Sequence, residues 1–146
     1  MSLIELLILT PFMGICLILT IQSFKSIPYS NKKICLFFTF IETYLALFIW
    51  MSFDNYQEGY QLVSGYGIFT VGIDGISLCY VLLTTLLTPV CILASWDNIS
   101  KDSNAFLCSI LVIESILITV FVVQDLISFY VSFEAVLVPL FILVGV

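Results

Sequence analysis

The sequence contains no arginine and no histidine, and its only basic side chains are Lys25, Lys32, Lys33 and Lys101. Nucleic-acid phosphates are gripped by clustered Lys and Arg, so a chain with four lysines and a net charge of −6 excludes nucleic acid as a partner. Zinc sites draw heavily on imidazole, and there is none here. Charged residues make up 10% of the 146 positions, against roughly 25% in soluble domains. That is too little charge to cover a water-facing surface. The five cysteines Cys16, Cys35, Cys79, Cys91 and Cys108 have no C-x-x-C spacing and all fall in apolar stretches, which predicts small core hydrophobes rather than a metal or redox set.

What remains is apolar: 62% hydrophobic residues and a mean hydropathy of +1.22. Five runs stand out, at 3–24, 34–53, 74–95, 105–123 and 126–146. Each holds about 20 residues, enough at 1.5 Å rise per residue to cross a hydrocarbon layer roughly 30 Å thick. None shows the alternation of a membrane barrel. The fold class predicted is an all-α integral membrane bundle of about five transmembrane helices in a single membrane domain, with 54–73 as an extramembrane connection. Glu5 stands where a signal peptide would carry basic residues, so the first run is read as a retained span. The missing arginine and the abundance of Phe, Ile and Leu are compositional hints of an AT-rich, organelle-type genome.

Orientation follows from the lysines, because loops on the cytoplasmic-type side retain positive charge. Lys25, Lys32 and Lys33 lie between spans one and two and Lys101 between spans three and four, whereas Asp54, Glu58 and Asp125 lie in the alternate connections. The N-terminus is therefore expected outside and the C-terminus inside. Asp74 is placed to cap span three, with Gly72 and Gly75 easing backbone crowding. Trp50, Tyr56 and Trp96 lie near span ends, as interfacial aromatics do. Pro89 is expected to kink span three, with the Thr84 and Thr85 hydroxyls helping to satisfy the opened backbone.

The chemistry lies in acids inside the spans. Glu42, Glu114 and Glu134 each stand near the middle of a run, where an acidic side chain costs about 2.5–3.5 kcal/mol to insert. Residues held at such a cost are candidates to accept and release protons. All four lysines are in connections, so the acids are protonated, or meet a water chain, or find their partners on another polypeptide. Glu134 has the richest surroundings. Pro139 removes the helical donor to the Ala135 carbonyl, and Tyr130 lies one turn earlier on the same face. Glu134 and Glu114 are accordingly the candidate catalytic residues. Glu42 is read as bonding to a neighbouring helix, and Glu5 and Asp125 as interfacial.

Two stretches carry a resemblance, at 69–96 and 125–145. Within them, Asp-Gly-Ile-Ser-Leu begins at Asp74 and Phe-Tyr-x-x-Phe-Glu-x-x-Leu-x-Pro begins at Phe129. The chain resembles the antiporter-like subunit 4 of the NADH:ubiquinone oxidoreductase of respiratory complex I, well over about residues 68–146 and by length and hydropathy alone before residue 60. The resemblance implies the N-terminal part of an antiporter-like bundle. It also implies that Glu134 corresponds to the family's fifth-helix glutamate, which pairs with a lysine on a later, broken helix and helps drive protons. That lysine is absent from these residues, so a split gene whose second product supplies the remaining helices is the favoured expectation over a truncated copy or a partial sequence.

The implied partners are other membrane-arm subunits, that second chain and membrane lipids. The implied location is the mitochondrial inner membrane, with the N-terminus on the intermembrane-space side and the C-terminus on the matrix side. No nucleotide loop, iron–sulfur ligand set or flavin motif is present, so no cofactor is expected in this chain. Redox chemistry would belong to other subunits of the NADH:ubiquinone reductase. The competing readings are a non-catalytic scaffold of the same complex and an independent ion or proton antiporter subunit.

Overall fold

The computed structural model describes residues 2–24, 28–54, 56, 59–66, 69–96 and 103–145. The order of elements is α1 (Leu3–Phe24), α2 (Pro28–Ser52), β1 (Gln61–Tyr66), β2 (Phe69–Ile73), α3 (Gly75–Ala94), α4 (Ser103–Val122) and α5 (Leu126–Gly145). All five helices are long and apolar enough to cross a membrane, so the helical membrane architecture expected from hydropathy is present. The boundaries agree closely except at α2, which starts at Pro28 rather than residue 34. Proline is favoured at a first helical position, where an amide hydrogen has no partner in any case. The turn of α2 that precedes its apolar run carries Asn31, Lys32 and Lys33, too polar to count in a hydropathy reading.

The starts of α1, α3 and α5 are capped by side chains. Ser2 and Glu5 form a reciprocal capping box, the Glu5 amide donating to Ser2 Oγ at 3.2 Å and the Ser2 amide to Glu5 Oε2 at 3.1 Å. Asp74 caps α3 as expected. Its carboxylate accepts from the Gly75 amide at 2.7 Å, while the Asp74 amide donates to Ser77 Oγ at 2.7 Å. Asp125 caps α5, accepting from the Ile127 and Ser128 amides at 3.2 and 3.3 Å.

The connection between α2 and α3 contains an antiparallel hairpin, which the all-α expectation missed. Gly65 pairs with Thr70 near the end of β1. Its φ of +141° disfavours any side chain, and a Cβ there would lie 2.8 Å from the Thr70 Cα. The hairpin is fastened to the bundle end at two places. Ser2 Oγ and Ser64 Oγ are 2.7 Å apart, and the Gln124 amide donates to the Thr70 carbonyl at 3.0 Å, beside a Val71–Val123 bridge. These ties place the hairpin over the start of α1 and the turn between α4 and α5.

Helices α1 to α4 close a ring in which each packs on its sequence neighbour and α1 packs on α4, with α2 and α4 also meeting across the centre. Half of the α4 span is buried. Close approach of α1 to α2 needs a residue without a side chain at Gly14, where a Cβ would lie 3.1 Å from the Phe38 ring. Helix α5 packs outside the ring on α4, and only 17% of its span is buried. Its outward residues include Phe129, Tyr130, Phe133, Leu137 and Phe141.

The ring holds two apolar clusters. The one near the hairpin contains Ile4, Leu7, Ala46, Ile49, Val81 and Ile118; the other, toward the opposite end, contains Ile18, Cys35, Ile92, Leu107 and Leu111. Of the cysteines expected in the core, Cys35 is there. Cys16 and Cys79 instead stand on the outward surface, and Cys91 is exposed where α3 and α4 part; in a membrane bundle the outward surface faces a solvent as apolar as the core, and a small hydrophobe is equally suited to either. All five are free thiols.

Candidate functional site

Between the two apolar clusters lies a polar layer at mid-span, contributed by every helix of the ring. In chain order it falls between Leu7 and Ile18 on α1, Cys35 and Ala46 on α2, Val81 and Ile92 on α3, and Leu111 and Ile118 on α4. Its fully buried members are Thr39, Glu42, Thr85, Glu114 and Ser115, with Thr88 8% exposed. Each stands three or four residues from an apolar core position on its own helix, so ordinary helical periodicity turns it inward.

Glu42 of α2 and Glu114 of α4 meet in this layer. Their carboxyls are neighbours, with the Thr10 side chain of α1 beside Glu42 and the Thr88 side chain of α3 beside Glu114. Glu42 is 0% exposed and Glu114 1% exposed, and none of their four carboxyl oxygens has a partner at hydrogen-bonding geometry. Lys32 and Lys33, the lysines among the described residues, lie on the first turns of α2, more than two helical turns before Glu42. Lys25 and Lys101 lie outside the described residues.

The threonines around the pair are held by two prolines. Pro11 leaves the Leu7 carbonyl without its helical donor, and Thr10 Oγ1 donates to it at 2.9 Å. Pro89 does the same to the Thr85 carbonyl, and here the donor is Thr43 Oγ1 from α2, at 2.7 Å. The expectation that Thr84 and Thr85 would serve this role is therefore corrected. Their hydroxyls donate to Tyr80 and Leu82 within their own helix, at 2.8 and 3.1 Å. Neither can reach forward to the open carbonyl, whereas the neighbouring helix can.

A cavity of about 370 Å³ lies between α3 and α4, reaching Leu143 near the end of α5. Glu114 lines it, together with Thr84, Thr88, Cys91 and Ser95, which form one stripe along α3 from mid-span to its C-terminal end. The hydroxyls of Thr84, Thr88 and Ser95 donate to backbone carbonyls one turn back, so they offer lone pairs toward the cavity.

Glu134, the first candidate from the sequence, lies elsewhere. It stands on the exposed face of α5, eight residues after the helix start and about 12 Å along its axis. The Tyr130 side chain is its neighbour, one turn earlier as the spacing implied. Pro139 lies inside α5, and among the described residues no side chain donates to the Ala135 carbonyl that it frees. Glu134 and Glu114 thus belong to two different places. Glu42, read as bonding to a neighbouring helix, faces the second acid of the ring. The missed signal was helix register: Cys35, Thr39, Glu42, Ala46 and Ile49 repeat at three- and four-residue steps, which marks Glu42 as a core position.

Four helices in a ring with a carboxyl pair buried at mid-span, and a further helix presenting an acid outward, all five long and apolar enough to cross a membrane, define a helical membrane protein of multi-helix type. Residues 6–123 match the family described as NADH-ubiquinone oxidoreductase chain 4, amino terminus, and the chain belongs to that family. The match takes in residues 6–60, where length and hydropathy alone had suggested the resemblance. A Mycosarcoma maydis protein named NADH-ubiquinone oxidoreductase chain 4 is 39% identical over 98% of this chain and 31% of its own length. Proteins of the same name from Chondrus crispus and Prototheca wickerhamii are 40% and 34% identical, over 94% and 100% of this chain and 29% and 32% of their own lengths. The chain spans about a third of the length of these relatives.

Proposed function

We propose that the chain supplies the first five helices of a membrane-arm subunit of a proton-pumping NADH:ubiquinone oxidoreductase and contributes part of a proton path. Membership of the chain 4 family supports this, as does the position of Glu134. An acid at mid-span on an outward helix face, beside Tyr130 and an open Ala135 carbonyl, is costly against lipid and satisfied against a further helix bearing a cation. The remaining helices, in a companion chain or a continuation, would cover α5. Other membrane-arm subunits and lipids are its further partners.

In this reading the chain carries no redox centre or cofactor. Electron transfer elsewhere in the assembly changes the charge facing Glu134, and with it the proton affinity and the side to which the carboxyl opens. The location proposed is the mitochondrial inner membrane, with the N-terminus on the intermembrane-space side and the C-terminus on the matrix side. The side of Lys32 and Lys33 supports that orientation.

The observation that carries the proposal is the outward, mid-span Glu134. The test is Glu134→Gln in the assembled complex, with protons translocated per NADH as the readout. The proposal expects a fall in that ratio with assembly intact. An unchanged ratio would leave the chain as a structural filler of the membrane arm.

A further inference from the structure

We infer that Glu42 and Glu114 form a second proton-holding site, a carboxyl pair sharing one exchangeable proton that reaches Glu114 through water in the cavity along α3. Three independent observations converge. The two acids are at most 1% exposed and adjacent, and all four oxygens lack partners. The layer around them carries threonines and serine but no cation among the described residues. Finally, Glu114 and Thr88 open onto a cavity whose polar stripe continues to Ser95, at the end of α3.

Two carboxylates side by side in a low dielectric repel strongly. One proton between them removes that repulsion and gives each carboxyl a bond that the surrounding side chains do not provide. The groups around the pair are Thr10 from α1, Thr88 from α3 and the buried hydroxyls of Thr39, Thr85 and Ser115 in the same layer, with the Cys35 thiol of α2 within electrostatic reach of both acids. None carries a positive charge that would take the place of the proton. In the transfer itself, a hydronium in the cavity loses one O–H bond and becomes water, and a Glu114 oxygen gains that O–H bond. The proton then passes between Glu114 and Glu42. Successive polar side chains of the α3 stripe, Thr84, Thr88, Cys91 and Ser95, are three to four residues apart, about 4.5–6 Å along the axis, so water must bridge them. The cavity has room for several molecules, since a water occupies about 30 Å³ of liquid volume.

The inference rests on the proton-path reading only for the identity of the ion, and its test is separate. Infrared difference spectra of the intact complex in its membrane, in H₂O and D₂O, read carboxylic acids directly. The expected result is a protonated-carboxyl band that shifts in D₂O, moves in Glu42→Gln and in Glu114→Gln, and disappears in the double variant. Glu42→Asp and Glu114→Asp, which keep the acid but shorten it, should displace the band without removing it, and they cover the case in which the double variant fails to assemble. A spectrum unchanged by all these substitutions would overturn the inference. So would a band that stays at its H₂O position after exchange, which marks a locked structural hydrogen bond. Loss of the band on adding Na⁺ at constant pH would assign the pair to a metal ion instead. If the band behaves as expected while Glu134→Gln leaves proton yield unchanged, the translocation proposal falls and the carboxyl pair stands.

Discussion

The Thr43 hydroxyl of α2 donates to the Thr85 carbonyl of α3 at 2.7 Å, in the position left vacant by the amide hydrogen that Pro89 lacks. The same hydroxyl also lies 2.9 Å from the Thr39 carbonyl of its own helix. One side chain therefore joins two helices at the level of the carboxyl pair, and it does so because a proline opened the backbone there.

Removing that hydroxyl should loosen α3 on α2. Thr43→Val keeps the shape and deletes the donor, and a cost of about 1 kcal/mol is expected, in line with interhelical hydrogen bonds in membranes. Thr43→Ser should restore most of it. Thermal denaturation of the purified complex in mild detergent compares the two, and equal melting of Thr43→Val and the natural chain would show the bond to be dispensable.

Replacing one member of the carboxyl pair by a hydrocarbon should be worse than replacing both. Glu42→Leu leaves the Glu114 carboxyl buried against an apolar neighbour, at a cost on the order of 1–3 kcal/mol. The Glu42→Leu, Glu114→Leu double variant leaves no orphan and should assemble better than either single variant. The abundance of assembled complex on native gels is the measurement; additive losses would argue that the two acids do not interact.

Gly14 leaves little room for a side chain. A Cβ at 3.1 Å from the Phe38 ring already presses on it, and Leu111 stands 3.4 Å away on the other side. Gly14→Val should separate α1 from α2 and cost about 1–3 kcal/mol through overpacking, seen as a lowered melting temperature. Gly14→Ala should be milder.

The carboxylate of Asp125 holds the first turn of α5, the helix that carries Glu134. Asp125→Ala should fray that turn at a cost of about 1 kcal/mol, while Asp125→Asn keeps an acceptor and most of the stability. Hydrogen exchange at the Ile127 and Ser128 amides reports it directly. Faster exchange in the alanine variant alone is the expected pattern.

The five helices were legible because lipid demands about 20 apolar residues per span, and that demand appears in the sequence at every residue. The Asp74 cap was legible for a local reason, an acid followed by a helical run. The hairpin was not, because its strands are short, irregular and rich in Gly and Ser, and they are held by Gln124 and Ser2 from far along the chain. The acids themselves were found by counting charges inside apolar runs. Their grouping was hidden: whether Glu42 faces Glu114 or lipid depends on which helices share the ring, and α2 meets α4 across the centre of a ring that α1 and α3 complete. Glu134 was singled out for its local surroundings, Tyr130 and Pro139, which are visible in one helix without knowledge of the fold.

The most direct test of the central claim is the company this chain keeps. Mild-detergent extraction of the native membrane, native electrophoresis and mass spectrometry of the comigrating proteins would identify it. The account predicts a very large NADH-oxidising assembly in which later chain 4 helices, carrying buried lysines, are present and crosslink to the outward face of α5 near Glu134. A chain that runs alone or in a small species, or an assembly with nothing against α5, would contradict it.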